Sequence, residues 1–531
     1  MRKFALIIVL LSVLFFAPLS FAGPKAEQYK KQNREAIAQI VRGQADEAID
    51  HFQRYLGVHS NDLESLYGLT VAFARKGELG KAVEYAQKAV KLGLPFQRFL
   101  AGPRSLLAPL TRTPQFKQMI RKYGTELLHG PLLGSMTENS ARFWVRTASE
   151  VPVQIVARDS VGNPIRSQIV CTNAAKDYTA VLTVSGLRPA TRYSYQVKVN
   201  AEDVPGTWSF RTFPAKGQAA SFSIGFGGGA GYTPQHERMW NTISSHNLSA
   251  FLLLGDNVYI DHPEQPEVQQ YCYYRRQSRP EFRTFTATTP VYAIYDDHDF
   301  TTNDGWGGPG IDQPAWKRPV WRLFKTNWNN PYYGGGEEQP GCWFDFSIGD
   351  VDFIMLDCRY YRTNPKVKHP SMLGPAQKKW LFEKLKSSTG VFKVLVSSVP
   401  WAYGTKPGSL DTWEGFKEER EEIFSFIEKN RIEGVILLSA DRHRSDAWKI
   451  NRPQGYNFYE FESSKLTNLH THSLMPGALF GYNEKCSFGI LKFDTRKPDP
   501  QVSYEVRNID NELIDKLTLQ QSRLRFAEPM K

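Results

Sequence analysis

Phe251-Leu252-Leu253-Leu254-Gly255-Asp256-Asn257-Val258-Tyr259-Ile260-Asp261 is the stretch on which the reading of this chain turns. Its four apolar residues suffice for a buried strand and are too few for a helix. They run straight into Gly-Asp, which ends the strand and sets a carboxylate at its tip. In sheets of buried parallel strands, ligands gather beyond the carboxyl ends, where loops deliver polar groups into a crevice. One such strand carries little weight, so the question is how many others finish alike.

Four do. Besides Asp256, the run Val291-Tyr292-Ala293-Ile294-Tyr295 ends in Asp296-Asp297-His298-Asp299, with Asn303 and Asp304 shortly after. Phe353-Ile354-Met355-Leu356 ends in Asp357-Cys358-Arg359, and Gly434-Val435-Ile436-Leu437-Leu438 ends in Ser439-Ala440-Asp441-Arg442-His443. A further strand, ending at Ile224, opens into the glycine-rich loop Gly225 to Tyr232, where backbone can approach a ligand closely. Two carboxylates about 4 Å apart repel by several kcal/mol at an effective dielectric of 20, so protons or cations must sit among them. Carboxylate and imidazole donors suit Ca, Mn, Fe or Zn. Two such ions about 3.5–4 Å apart would clamp a phosphoryl oxygen and generate hydroxide for in-line attack, which points to a dinuclear hydrolase.

Around this domain the 531-residue chain has room for two or three cores. Arg2 and Lys3 precede an apolar run from Phe4 to Phe16, and Ser20-Phe21-Ala22 offers small residues where a signal peptidase reads. Residues 1–22 are therefore expected to be a signal peptide cleaved after Ala22, giving an exported, periplasmic or secreted protein with no transmembrane segment in the mature chain. Five cysteines are too few for a disulfide framework, and their odd number leaves at least one thiol free or ligating. The formal charge of +12 favours anionic substrates, but no dense basic run supports nucleic-acid binding.

Residues 26–125 read as helical. Gly43-Gln44-Ala45-Asp46-Glu47-Ala48-Ile49 recurs 34 residues later as Gly77-Glu78-Leu79-Gly80-Lys81-Ala82-Val83, a period that resembles a tetratricopeptide unit. With only about one and a half repeats visible, the segment is expected to be a cap or docking arm leaning on another domain, with a protein partner as a candidate ligand. Residues 129–213 change to alternating β-branched and aromatic runs, such as Tyr193-Ser194-Tyr195-Gln196-Val197-Lys198-Val199. The segment Leu187 to Tyr195 resembles the loop and following strand of fibronectin type III-like sandwiches. From 218 to 515, short apolar strands alternate with helical stretches, the pattern of an α/β layered fold.

The series Gly-Asp-Asn-Val-Tyr (255–259), Asp-Asp-His-Asp (296–299) with Asn303, Leu-Asp-Cys-Arg-Tyr-Tyr-Arg (356–362), Met-Leu-Gly-Pro-Ala-Gln-Lys-Lys-Trp-Leu (372–381) and Ser-Ala-Asp-Arg-His (439–443) resembles the motifs of PhoD-like alkaline phosphatases, within the calcineurin-like metallophosphoesterases. The resemblance covers about residues 130–510. It implies a two-layered sheet core flanked by helices, exported phosphomonoesterase or phosphodiesterase activity, and an iron and calcium cluster. Carried over, Asp256 is the bridging ligand and Tyr259 a phenolate ligand. Asp297, Asn303, Asp441 and His443 fall at metal-site positions, His298 is the proton donor to the leaving oxygen, and Arg359 or Arg442 holds phosphate oxygens. The chain departs from the family at Phe226-Gly227, where Ser-Cys is usual and the thiolate ligates iron. Tyr232, His236 and Cys358 are candidates to replace it. Ala440 stands where glycine is usual.

The remaining polar residues have plainer readings. Asp357 is expected to cap its loop, Asp296 and Asp299 to hold theirs by backbone hydrogen bonds, and Asp261 to lie on the surface. His470 and His472 are candidates for the substrate side, and Trp306 and Trp401 for an apolar rim or for core. The competing functional reading is a protein that keeps the fold without turnover and binds partners through its helical repeat.

Overall fold

The computed structural model of the protein describes residues 26–527, so the expected signal peptide lies outside the described residues. Among the described residues no helix is long and apolar enough to cross a membrane.

The helical segment opens with two hairpins, Ala26–Val41 with Ala45–Val58 and Leu63–Lys76 with Leu79–Lys91, followed by Gln97–Ala101, Arg104–Thr111 and Pro114–Tyr123. The repeated glycines do the same job in each hairpin: Gly43 and Gly77 sit at its turn with φ +84° and +80°, a conformation that L side chains resist. As expected of a cap, the segment leans on the third domain. The Tyr67 ring stacks on Tyr271 at 5.9 Å, and the Tyr271 hydroxyl donates to Glu64 at 2.7 Å. Glu64 also pairs with buried Arg98 at 3.1 Å, an arrangement whose disruption would leave an uncompensated charge in the interface.

The middle domain is a β-sandwich. One sheet contains Leu127–Gly134, Ser140–Thr147 and Thr179–Ser185; the other is built on Pro152–Arg158 and Arg192–Val199. It starts two residues before the expected boundary, at Leu127. Burial alternates along Arg192–Val199 as the period-2 pattern requires, and Phe143 from the first sheet meets Tyr195 and Phe210 from the second at 4.7 and 5.6 Å. Trp144 and Tyr195 reach out of the sandwich, donating to the carbonyls of Thr326 and Ala287 at 2.8 and 2.6 Å.

The third domain holds two mixed sheets packed face to face. The six-stranded sheet runs Val291–Ile294, Ala250–Leu254, Ser221–Gly227, Ser487–Asp494, Gln501–Asn508, Leu513–Gln520. The seven-stranded sheet runs Phe344–Ile348, Val351–Met355, Phe392–Val396, Val435–Ser439, Phe458–Ser463, Ser445–Ile450, Phe480–Tyr482. Phe353, Phe392 and Phe461 of one sheet meet Phe493 or Tyr504 of the other at 4.6–6.1 Å. Ala250–Leu254 is paired in parallel on both sides and buried throughout, which is why its sequence is a continuous apolar run. The edge strand Leu513–Gln520 carries the domain past its expected end at 515.

The strand expected to end at Ile224 continues to Gly227. Glycine is required inside it by close packing: a Cβ at Gly225 would lie 2.5 Å from the Phe251 ring, and one at Gly227 would lie 2.8 Å from Leu466.

Candidate functional site

The parallel strands of both sheets deliver their terminal loops to one cleft of about 510 Å³. Tyr259, His298, Asn303, Asp441, Arg442 and His443, six of the nine residues singled out by sequence, line it. Asp256 and Asp297 are buried, and their ligating atoms lie within 4.8 Å of each other and of the His298 imidazole.

Around each loop, neighbouring carboxylates do structural work. Asp299 accepts from the backbone N–H of Asn257 and Val258 at 3.0 and 2.9 Å, holding the turn after Asp256. Asp296 caps the short helix Asp297–Phe300 and accepts from Ser398 at 2.7 Å and from Arg359. Asp357 takes the N–H groups of Cys342, Arg359 and Tyr360 at 2.8–2.9 Å, so it holds its loop as expected. These bonds leave Asp297 as the member of its motif turned to the site.

Asp256 is the opposite case. It is 1% exposed, and neither of its oxygens accepts a hydrogen bond in normal geometry, with the Tyr259 phenol beside it. Burial pushes its carboxyl well above the usual range; Asp297, Asp296 and Asp299 add to this and His298 opposes it. A buried carboxylate that no N–H group or arginine satisfies costs several kcal/mol when ionised, which a cation would offset. Asp441 differs: its Oδ2 pairs with the Arg442 guanidinium. Asn468 donates to the Tyr259 hydroxyl at 2.6 Å and lies 3.2 Å from His443 Nδ1, orienting two further donors. This oxygen- and imidazole-rich set fits hard or borderline metal ions.

His298 Nδ1 lies 2.5 Å from Asp261, and its ring stacks on Tyr259 at 4.6 Å. Burial disfavours the imidazolium, but Asp297, Asp256 and Asp261 outweigh it and raise the group to about 10. Cations on Asp256 and Asp297 would withdraw much of that support. Asp261 is therefore not the surface residue expected: it is shared between His298 and Arg34, from the first helix of the cap.

The two arginines separate. Arg359 is 0% exposed, and its guanidinium is taken up by Asp296, by the Gly305 carbonyl at 3.1 Å and by Asp411 at 2.7 and 3.0 Å. Four of its five N–H groups are engaged there and Nη2 also faces Asp297 at 3.8 Å, so this guanidinium ties loops together rather than lining the cleft. Arg442 lines the cleft and has Nε and Nη1 without hydrogen-bond partners. Asn303 lies at the exposed rim of the same cleft, as do His470 and His472. Trp401 is core, stacked on Trp413 at 4.3 Å, while Trp306 is 38% exposed.

None of the three candidates for the missing thiolate lines the cleft. Cys358 is bonded to Ser397, His236 to Cys486, and Tyr232 lies under Arg275. A Cβ on Gly228 would stand 2.7 Å from the Ala440 methyl, so the glycine loop passes directly against the Ser439–His443 turn.

Sequence reasoning missed Arg34, Lys406 and Asp411. Asp411 is a buried anion with Arg359 and Arg362 at 2.7 and 2.6 Å; burial works against its charge, but these two arginines hold it well below the usual carboxylate range. No apolar strand precedes it in Ser409-Leu410-Asp411-Thr412, so the signal used for the other carboxylates was absent. One backbone feature is common to the site: Asp256, Tyr259, Asp261, Asp441 and His443 all have left-handed φ, from +50° to +76°.

Comparison with known proteins agrees with this architecture. A solved structure described as PhoD superposes with a TM-score of 0.63 at 18% identity, covering 75% of this chain and 92% of that one. A purple acid phosphatase from yellow lupin (Lupinus luteus) seeds gives 0.56 at 13% identity, covering 74% and 75%. Both show the fold. In sequence, alkaline phosphatase D of Bacillus subtilis (strain 168) is 24% identical over 385 residues, 61% of this chain, and the match spans 65% of that protein's length. Residues 124–216 match a domain of unknown function. The sequence model of the PhoD-like phosphatases matches residues 224–505, more than half of the chain, and the protein belongs to that family.

Proposed function

We propose that the protein is an exported, metal-dependent phosphoesterase acting on phosphomonoesters, phosphodiesters or both. The observation that carries this reading is Asp256: a buried carboxylate that no N–H group satisfies, with the Tyr259 phenol beside it, converging with Asp297 and His298 next to a cleft lined by Arg442. Asp256, Tyr259, Asp297, Asp441 and His443 would hold the metals, with Asn303 as a further ligand from the rim; iron and calcium are the proposed ions. When bound, these ions supply Lewis-acid polarisation of the phosphoryl oxygens and activation of water.

The protein's own groups do the rest. Arg442 Nε and Nη1 take two phosphate oxygens, fixing the ester's orientation and neutralising charge that grows in the transition state. His298, oriented through Nδ1 by Asp261, holds at Nε2 the proton for the departing oxygen. Lys406 and the histidines at 470 and 472 add positive or hydrogen-bonding groups on the substrate side. The N-terminal leader pattern supports export, the helical hairpins support a tetratricopeptide-like cap, and the sandwich supports a fibronectin III-like domain. A turnover-free adaptor is not favoured, because such a protein has no need of a buried carboxylate that no N–H group satisfies.

The test is elemental analysis of the purified protein together with hydrolysis of p-nitrophenyl phosphate and bis(p-nitrophenyl) phosphate. Bound metal and turnover that Asp256→Asn abolishes are expected. Protein free of metal after growth and purification with added iron and calcium, and inactive on both esters, would sink the enzyme reading.

A further inference from the structure

We infer that Arg34, carried by the helical cap, is a positioning residue of the catalytic site: it holds the loop bearing Tyr259 and Asp261 so that Asp261 keeps His298 aimed at the leaving group. The cap is then an integral part of the site rather than an appendage.

Arg34 lies in the helix Ala26–Val41 and is buried. Its Nη1 donates to the Tyr259 carbonyl at 2.8 Å, and Nη2 pairs with Asp261 Oδ2. The other oxygen of Asp261 meets His298 Nδ1 at 2.5 Å. One guanidinium thus grips the loop at two points two residues apart, at the backbone of a proposed metal ligand and at the carboxylate orienting the proposed proton donor. Both gripped residues have left-handed backbone, φ +51° at Tyr259 and +55° at Asp261, so the loop needs outside support to keep this shape. Arg34 also forms part of the cleft wall with Tyr259, Asp261 and His298. Lysine carries the charge but cannot span both acceptors, because it lacks the planar fork.

This inference rests on the reading of His298 as general acid, and the test separates the two. Hydrolysis of p-nitrophenyl phosphate, whose leaving group departs readily, is compared with that of phenyl phosphate, whose leaving group needs a proton more. Arg34→Ala is expected to lower kcat on phenyl phosphate roughly ten- to hundredfold and on p-nitrophenyl phosphate several-fold less, since general acid catalysis as a whole contributes ~10²–10⁴. KM should stay within about twofold, because the guanidinium of Arg34 is spent on the Tyr259 carbonyl and Asp261 rather than on phosphate. Arg34→Lys is expected to recover part of the phenyl phosphate rate. Tyr271→Phe removes a cap contact remote from the cleft and should lower the melting temperature without the leaving-group dependence. An equal loss on both esters in Arg34→Ala, alongside a leaving-group-dependent loss in His298→Ala, overturns the role of Arg34. No leaving-group dependence in His298→Ala overturns the general-acid reading instead. If Arg34→Ala does not fold, Arg34→Lys carries the comparison, and its indifference to leaving group overturns the proposal.

Discussion

Replacing Asp256 by Asn should make the metal-free protein more stable and the metal-loaded protein less so. The change keeps volume and removes a buried charge that no N–H group satisfies. Leaving such a group unsatisfied costs about 1–3 kcal/mol, more if it is fully charged. A unit of this size shifts its melting midpoint by no more than about 2–4 °C per kcal/mol, so the chelator-treated variant should melt roughly 2–6 °C higher. The sign with pH follows from the raised carboxyl. Above the unfolded value near 3.9 the native state binds more protons than the unfolded state, so wild-type stability falls as pH rises toward the native value. The advantage of the variant should therefore be larger at pH 8 than at pH 5. With metal at about a hundredfold over its Kd, wild type gains about 2.7 kcal/mol, and the variant, lacking an anionic ligand, gains much less; the order of the two midpoints inverts. Calorimetry with chelator and with added iron and calcium reads both effects. A variant that melts at or below wild type in chelator at both pH values, or that gains as much from metal, refutes the reasoning.

Two further outcomes are expected. Arg442→Met should lower kcat/KM by about 10²-fold or more with the metal content unchanged, whereas Arg359→Met should act through folding, destabilising the protein by about 3–5 kcal/mol because it leaves buried Asp296 with Ser398 but no cation beside it and buried Asp411 with Arg362 as its remaining close cation; steady-state kinetics and thermal melts of both variants read the contrast. His472 is held down to about 3 by burial and by the positive charges of Arg442, His470 and Lys406. Its native value is below the unfolded one, so stability is lost as pH falls from about 6.5 toward 3. Melting temperatures of chelator-treated protein between pH 7 and pH 4 should accordingly fall less steeply in His472→Gln.

Where the chain is locally informative, its sequence was readable. A strand buried between parallel neighbours must be apolar throughout, and its end must be marked by a turn, so Asp256, Asp297 and Asp441 could be found by scanning for apolar runs that stop at a carboxylate. The 34-residue period was equally plain, because glycine is needed at the same turn in each hairpin. Contacts between distant segments were not readable. Asp261 reads as a loop acid until Arg34, 227 residues earlier, is brought beside it. Asp411 follows no strand and owes its charge to arginines 49 and 52 residues before it. Arg359 showed the converse: its motif suggested a ligand contact, and only the fold reveals that four of its five N–H groups are taken by Asp296, Gly305 and Asp411. Gly225 and Gly227 read as loop because glycine is rare in strands; the packing of Phe251 and Leu466 against them has no local signature.

The left-handed residues of the site bear on how this protein tolerates change. Across the described chain, non-glycine residues with positive φ include Asn247 and Arg431, away from the cleft, as well as Asp256, Tyr259, Asp261, Asp441 and His443. Each such conformation stores of order 1–3 kcal/mol that glycine would release. At Arg431 that release is available to an engineer seeking a hardier protein. At the five cleft positions it comes only with the loss of a donor atom, so there the gain in hardiness and the chemistry of the site exclude each other.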